Sequence, residues 1–145
     1  MPYCYEYPRP AVATDIVLIA HQKLETNVLL IKRKNNPYKG MWAFPGGFMD
    51  MNEFLIDTAR RELYEETGIK INELIFFGIY DDPNRDPRGR TIGIVYYALL
   101  NKTIPTQSGD DALQAQWFSI DNLPPLAFDH PKIWQDIQHK ILTHI

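Results

Sequence analysis

Apolar and polar residues alternate in blocks along the chain, and the first blocks predict strands. The segments Ala11–Ala20 and Val28–Ile31 are rich in β-branched and apolar residues, which is typical of buried strands. The polar segment between them, His21–Asn27, is predicted to be a connection. A basic segment containing Asn-Pro and Gly then predicts a loop that runs to a short strand at Trp42–Phe44.

The next block, Glu53–Thr67, has the periodicity of a helix. Ile56, Ala59 and Leu63 recur at spacings of three and four, so they would share one helical face. Gly68 is predicted to end this helix, because glycine readily takes the left-handed conformation of a helix C-cap.

The second half of the chain predicts three more strands and a final helix. The strands are Ile71–Tyr80, Thr91–Leu100 and Ala115–Ile120, and a charged loop rich in Pro and Gly joins the first two. In the final helix Pro131 suits the first turn, with His130 or Asp129 as the cap. The apolar side of this helix consists of Ile133, Trp134, Ile137 and Ile141. Strands, a helix, more strands and a helix predict an α+β domain with a mixed sheet.

The composition is that of one globular domain covering residues 1–145, with 45% hydrophobic and 23% charged residues. A net charge of −3 argues against a nucleic-acid partner. Cys4 is the only cysteine, which excludes an intrachain disulfide and a cysteine metal cluster. The first ten residues do not resemble a secretion signal, and no apolar run is long enough to cross a membrane. A cytoplasmic protein is therefore expected.

The predicted first helix carries a cluster of acids, Glu62, Glu65 and Glu66. Helical pitch places Glu62 and Glu66 about 40° apart, beside the apolar stripe. Neighbouring carboxylates raise each other's pKa unless a cation lies between them. Oxygen ligands without cysteine or histidine favour Mg²⁺ or Mn²⁺ over zinc. The alternative is a solvated helix face with pairs such as Arg61 with Glu65.

The residues around this cluster resemble the signature of Nudix hydrolases, G-x5-E-x7-R-E-U-x-E-E-x-G-U, in which U is a bulky apolar residue. Nine specified positions match without a gap: Gly47, Glu53, Arg61, Glu62, Leu63, Glu65, Glu66, Gly68 and Ile69. The resemblance implies the Nudix fold, an α/β/α sandwich with a mixed central β-sheet. It also implies metal-dependent hydrolysis of a nucleoside diphosphate linked to another group, X.

The resemblance further implies a role for each matching residue. Metal ligands would be Glu62 and Glu66, assisted by Glu65 and by the backbone carbonyl of Gly46. Glu53 would pair with Arg61 and fix the loop against the helix. Glycine at 46 and 47 would let the backbone approach the metal closely, and Gly47 is also a candidate for substrate contact.

Longer blocks, among them "YEYPRPAVATDIVLI" and "LAFDHPKI", resemble the ADP-ribose pyrophosphatase branch of the family. This resemblance implies hydrolysis of ADP-ribose to AMP and ribose 5-phosphate with Mg²⁺, for which Mn²⁺ can substitute. The alternatives are hydrolysis of an oxidised nucleoside triphosphate, a non-catalytic ADP-ribose sensor, and an interaction module with a decayed site. Related enzymes are often homodimers.

In this branch an acidic residue late in the chain often activates the water, and Asp110 and Asp111 are the candidates; their alternative is a polar turn. Four arginines are candidates for binding substrate phosphate or ribose, because guanidinium groups match phosphate oxygens: Arg33, Arg85, Arg88 and Arg90. Their alternative is a solvated loop. Trp42 and Tyr80 are candidates for base stacking or for the sheet core. The histidines show no metal-ligand spacing and are predicted at the surface or at helix caps: His21, His130, His139 and His144.

Overall fold

The computed structural model describes residues 2–107 and 112–144, so Asp110 and Asp111 lie outside the described residues. The strands are β1 Ala11–Gln22, β2 Glu25–Arg33, β3 Trp42–Ala43, β4 Gly46–Phe48, β5 Ile75–Tyr80, β6 Thr91–Leu100 and β7 Ala112–Ser119. The helices are α1 Leu55–Thr67 and α2 His130–Lys140, followed by a 3₁₀ turn at Leu142–His144. Within the described residues, no helix is both long and apolar enough to span a membrane.

Strand β1 lies at the centre of a mixed sheet. It runs parallel to β6 along its first ten residues, and β5 lies antiparallel on the far side of β6. On its other edge β1 pairs antiparallel with β4 near its start and with β2 near its end. Strand β2 in turn pairs with β3 and β7. One edge of β1 is therefore divided between two partner strands, with β4 paired to the start of β1 and β2 paired to its end.

Alternating residues of β1 build the core on both faces of the sheet. Ile16 packs in a buried cluster that includes Leu63 of α1, whereas Val17 packs in a second cluster that includes Ile133 of α2. Successive side chains of a strand point to opposite faces, so the two helices cover opposite sides of the sheet. The predicted α/β/α sandwich with a mixed sheet is confirmed.

The prediction of a polar connection between the first two strands is wrong. Strand β1 continues to Gln22 and β2 begins at Glu25, which leaves a turn of two residues. Lys23 in that turn has a φ of 57°, a left-handed value that two-residue hairpin turns require. His21 and Thr26 are cross-strand neighbours joined by a 2.7 Å hydrogen bond. The polar sequence reflects exposure of the hairpin tip and not the absence of strand structure.

Three other boundaries differ from the sequence prediction. Strand β5 begins at Ile75 instead of Ile71, and β7 begins earlier than predicted. Ile71 and Leu74 pack against the α1-side core without strand pairing, so irregular backbone produced the same apolar signal as a strand. The Gly46–Phe48 segment, predicted as loop, pairs with β1 as strand β4.

Helix α1 begins at Leu55, two residues after the predicted start at Glu53. Gly68 has a φ of 76° and its N–H donates to the Tyr64 carbonyl at 2.8 Å. The predicted glycine C-cap is therefore confirmed.

At the start of α2, Pro131 lies in the first turn as predicted. Asp129 occupies the N-cap position, but its side chain makes no capping hydrogen bond. Its carboxylate instead accepts hydrogen bonds from Arg85. His130 does not cap the helix either, because its ring accepts the N–H of Phe44. The predicted side-chain cap is wrong, since both candidates are engaged in contacts with distant segments.

Candidate active site

A cleft of about 500 Å³ opens beside β4 and α1. Its acidic lining residues are Asp15, Asp50, Glu62, Glu66 and Asp86, and its basic lining residues are Arg33, Lys34, Arg61, Arg85 and Arg88. Gly46, Gly47, Phe48 and Phe128 also line it. The fold thus brings most of the sequence-predicted site residues to one place.

The two glycines of β4 allow the backbone to lie against neighbouring groups. A Cβ atom at Gly46 would collide with the Thr14 carbonyl oxygen of β1. A Cβ atom at Gly47 would lie 2.5 and 2.6 Å from the two carboxylate oxygens of Glu62. Both distances are shorter than any van der Waals contact, so a side chain at Gly47 would displace the Glu62 carboxylate.

Two carboxylates of α1 face the cleft from positions that are nearly inaccessible to solvent. Glu66 is 6% exposed, and its Oε1 atom accepts the N–H of Gly46 at 2.7 Å. The Glu62 side chain is 13% exposed, and its Oε1 atom accepts a hydrogen bond from Arg61 Nη1 at 2.7 Å. These contacts fix both carboxylates relative to β4.

Arg61 joins the loop before α1 to the acidic cluster. Its Nη2 and Nε atoms donate to the two carboxylate oxygens of Glu53 at 2.7 and 3.1 Å. Nη2 also donates to the Phe48 carbonyl at 3.1 Å, and Nη1 lies 3.3 Å from Glu65. Donating these hydrogen bonds to Glu53 raises the pKa of Arg61, and accepting them lowers the pKa of Glu53 to about 2. The pairing that the resemblance implied is present, and it connects Glu53 to Glu62 through one guanidinium.

The Glu53→Gln variant is expected to lose less unfolding free energy than wild type does when the pH is lowered into the acid range. The pKa of Glu53 is about 2 in the folded protein, compared with an ordinary value of 4.5. A carboxylate with a depressed pKa stabilises the fold above its unfolded pKa and loses that contribution as the pH falls through the folded pKa. The difference in unfolding free energy between wild type and variant should therefore stay constant from neutral pH to about pH 4.5 and shrink as the pH falls from there towards about 2, as measured by urea unfolding.

The matched control is Asp57→Asn, which removes an exposed 3.2 Å ion pair with Arg60 on the same helix. Exposed pairs contribute little to stability, so this variant should track wild type across the pH range. A constant difference between wild type and Glu53→Gln would contradict the expectation.

The donor set of the cleft fits a hard divalent cation. Glu62 and Glu66 supply carboxylate oxygens, and Gly46 lines the same cleft with its N–H 2.7 Å from Glu66 Oε1. Among residues 2–107 and 112–144, no group of three or more His, Cys, Asp or Glu side chains is arranged to hold a metal by itself. Such a site suits an ion that completes its shell with water and substrate phosphate, as Mg²⁺ commonly does.

Arg33 and Arg88 form the basic side of the cleft. Arg33 Nε donates to the Pro37 carbonyl at 2.7 Å, and burial together with the nearby charge of Arg88 lowers the pKa of Arg33. Arg88 donates through Nε and Nη2 to Asp86 at 3.0 and 2.8 Å. Two guanidinium groups that repel each other across a cleft form a favourable site for an anion.

The other two candidate arginines are placed differently. Arg85 is buried, and its Nε and Nη2 atoms donate to the Asp129 carboxylate at 2.8 and 2.9 Å. Arg90 donates to the backbone carbonyl of Asp81 and is absent from the cleft lining. Both are held by groups of the protein itself, although Arg85 also reaches the cleft wall. Glu65, with 47% of its side chain exposed, is likewise outside the cleft lining.

The sequence prediction missed a buried pair beside the cleft, Asp15 with His130. His130 is 3% exposed, so its predicted surface or capping role is wrong. Its Nδ1 accepts the Phe44 N–H at 3.1 Å, and its Nε2 lies 3.4 Å from Asp15 Oδ1. Burial raises the pKa of Asp15, but His130 and Arg85 outweigh burial and hold that pKa below its usual value. The sequence signal that could have revealed this pair is Asp15, the one acidic residue in the predicted strand Ala11–Ala20.

The two aromatic candidates for base stacking take part in protein packing. Trp42 packs edge-on against Phe118 at 4.7 Å between ring centroids. The Tyr80 hydroxyl donates to Asp136 at 2.7 Å. Both border the core cluster on the α2 side of the sheet, which favours the sheet-core alternative.

Comparison with known proteins agrees with this geometry. The profile of the NUDIX domain matches residues 9–137. An ADP-ribose pyrophosphatase of Methanocaldococcus jannaschii is 44% identical over 133 residues, which are 90% of this chain and 74% of that protein. An ADPR responsive transcriptional repressor of Acinetobacter baylyi is 33% identical over 90% of this chain, which spans only 54% of the repressor.

Among solved structures, the NUDIX domain of Shewanella oneidensis NrtR in complex with ADP ribose superposes with a TM-score of 0.87 at 27% identity. The superposition covers 93% of this chain and 90% of that domain. The resemblance to Nudix hydrolases is confirmed, and enzymes of this family generally use a divalent metal. The chain therefore belongs to the Nudix family and is a Nudix hydrolase.

Proposed function

We propose that the protein hydrolyses ADP-ribose to AMP and ribose 5-phosphate with Mg²⁺, for which Mn²⁺ can substitute. The observation that carries this proposal is that the buried carboxylate of Glu66 and the partly buried carboxylate of Glu62 line the same cleft as the guanidinium groups of Arg33 and Arg88. A diphosphate ester needs both, because its oxygens bind guanidinium groups directly and carboxylates only through a cation. The 44% identity with an ADP-ribose pyrophosphatase supports the choice of substrate.

The reaction adds water to one phosphorus atom and breaks one bond of the P–O–P bridge, and it yields two phosphate monoesters. A cation held by Glu62, Glu66 and the Gly46 carbonyl would supply neutralisation of the diphosphate charge. Arg33 and Arg88 would orient the diphosphate oxygens, and Arg61 keeps Glu62 in place through their 2.7 Å contact. Glu65 would assist from the edge of the cluster, and Asp110 and Asp111 are the candidates for the group that accepts the proton of the attacking water.

A second candidate function is ADP-ribose sensing without turnover. It is favoured by the 33% identity with an ADPR responsive repressor and by the solved complex of a related NUDIX domain with ADP ribose. Both candidates bind the same ligand. The intact glutamate signature supports the enzyme over the sensor, because a sensor needs no cation site for hydrolysis.

Mass spectrometry of product mixtures tests the proposed function. With Mg²⁺, ADP-ribose should give equal amounts of AMP and ribose 5-phosphate, and its kcat/KM should exceed that of an oxidised nucleoside triphosphate such as 8-oxo-dGTP. EDTA should abolish turnover, and Mn²⁺ should restore it. A preference for the triphosphate would overturn the substrate assignment, and tight binding without products would favour the sensor.

We further propose that the protein acts as a cytoplasmic homodimer on a small nucleotide. The cytoplasmic assignment rests on the single, exposed Cys4, which suits a reducing compartment. The homodimer rests on the resemblance to related enzymes. Light scattering of the purified protein tests it, and a monomeric mass at assay concentration would contradict it.

A further inference from the structure

Phe128, which lies on the wall of the cleft, has an unusual backbone conformation. Its φ is 55°, in the left-handed region that bulky residues rarely occupy. Both neighbouring segments are anchored: the Ala127 N–H donates to the Trp42 carbonyl at 2.8 Å, and the His130 N–H donates to the Ala127 carbonyl at 3.1 Å. Backbone strain of this kind persists where the surrounding structure fixes it, and it concentrates at ligand-binding sites.

The conformation places the Phe128 ring against both arginines of the cleft. The guanidinium carbon of Arg33 lies 4.8 Å from the ring centroid, and that of Arg88 lies 5.6 Å from it. These distances are within the range of cation–π attraction. Tyr38 packs against the same ring in an edge-to-face arrangement, with 4.7 Å between centroids. One aromatic ring therefore contacts two cations that would otherwise repel each other.

The two arginines differ in how well their charge is neutralised. Arg88 is paired with Asp86 and also lies 5.0 Å from the ring of Phe48. Arg33 donates to the backbone carbonyls of Pro37 and Asn35 at 2.7 and 3.5 Å, and within the described residues it forms no ion pair. Arg33 thus depends on neutral carbonyls and on Phe128 for its position, and it presents net positive charge to the cleft.

We propose that Phe128 is a positioning residue: it holds the guanidinium groups of Arg33 and Arg88 on one ring, so that their donors meet the substrate diphosphate together. This inference rests on the proposed function, because the anion is the diphosphate of ADP-ribose. The role is distinct from direct contact with the reacting atoms. If Phe128 positions the two arginines, removal of its ring face should weaken substrate binding more than it slows the chemical step.

Phe128→Leu keeps an apolar side chain and removes the ring face. It should raise KM for ADP-ribose by about tenfold, the loss expected for desolvated cation–π contacts, with a smaller change in kcat. The Kd of α,β-methylene ADP-ribose, which the enzyme cannot cleave, should rise in parallel. Phe128→Tyr keeps the ring and should stay within about twofold of wild type.

A double-mutant cycle separates positioning from a structural role. In an Arg33→Ala background, Phe128→Leu should raise KM by clearly less than its effect of about tenfold in wild type, because one of the two groups that it positions is already gone. Phe77→Leu is the control: Phe77 has Lys140 5.8 Å from its ring, away from the cleft, and its loss should leave KM unchanged. Additive effects of the two cleft substitutions, or an unchanged KM in Phe128→Leu, would overturn the inference.

Two further measurements cover the cases in which Phe128→Leu is unfolded or wild type does not cleave ADP-ribose. If Phe128→Leu lowers the Tm so far that the variant is unfolded in the assay, pentafluorophenylalanine at position 128 keeps the ring shape while reversing its face charge, and it should raise KM in the same direction. If wild type does not cleave ADP-ribose, the proposed function fails by itself. The cycle is then run on the Kd of ADP as a diphosphate probe, where additivity would refute the role of Phe128.

Discussion

Glu66→Gln is expected to lower kcat for ADP-ribose hydrolysis by between about a hundredfold and a thousandfold, the range seen when one electrostatic group of an active site is removed. Glu66 is almost completely buried and lines the cleft, while one of its oxygens accepts the Gly46 N–H at 2.7 Å. The neutral amide has nearly the same shape but removes the negative charge that a cation in the cleft requires. The variant should therefore fold normally and lose turnover, as measured by AMP release and by thermal unfolding.

Two matched substitutions give this result its meaning. Glu73→Gln makes the same chemical change at an exposed position outside the cleft and should leave kcat unchanged. Glu65→Gln lies on the same helix, but the Glu65 side chain is 47% exposed and outside the cleft lining, so its effect should be smaller than that of Glu66→Gln. Near-normal turnover in Glu66→Gln would show that hydrolysis does not require the Glu66 carboxylate.

Gly47→Ala is expected to lower kcat/KM by about a hundredfold, because displacing a catalytic group by about 1 Å can cost that much. The added methyl would lie 2.5 and 2.6 Å from the Glu62 carboxylate oxygens. The carboxylate must then move, and with it the 2.7 Å contact to Arg61. Steady-state kinetics with ADP-ribose measure the loss, and the Mg²⁺ concentration needed for half-maximal activity should rise as well.

Gly78→Ala is the control for the general cost of adding a methyl group to a strand. A Cβ atom at Gly78 meets only the Tyr80 ring, at 3.7 Å, which is an ordinary contact. Its activity should match wild type. Equal losses in both alanine variants would point to global destabilisation, and an active Gly47→Ala would show that the position of Glu62 is not critical.

The elements that the sequence predicts well are those governed by neighbouring residues. The apolar face of α1 and the left-handed Gly68 follow from helical geometry and from the freedom of glycine, and both depend on only a few adjacent positions. The glutamate signature belongs to the same class, since its nine positions fall within the 23 consecutive residues 47–69. The β1–β2 connection was misjudged because polarity reports exposure, whereas strand pairing at a hairpin tip depends on the turn.

The contacts that sequence reasoning missed join residues far apart in the chain. Asp15 of β1 meets Arg85 of the β5–β6 loop at 3.5 Å and His130 at the start of α2 at 3.4 Å. Arg85, a candidate for substrate contact, lines the cleft while its guanidinium donates to Asp129 at 2.8 Å, a partner that the sequence did not indicate. Periodicity identifies which face of an element is buried, but it carries no information about which distant charges meet. The topology of the chain therefore decides which buried charged side chains pair with each other.

The divided edge of β1 has an evolutionary consequence. Its pairing with β4 places Gly46 and Gly47 beside Glu66 and Glu62 of α1, whereas Arg33 reaches the cleft from the end of β2, and Arg88 and Phe128 reach it from two connections. Those connections can accept substitutions without disturbing the strand ladder. Descendants of one ancestor can therefore retain cleavage of the diphosphate while their preference for the linked group X changes. For this reason a short signature identifies the reaction but not the substrate.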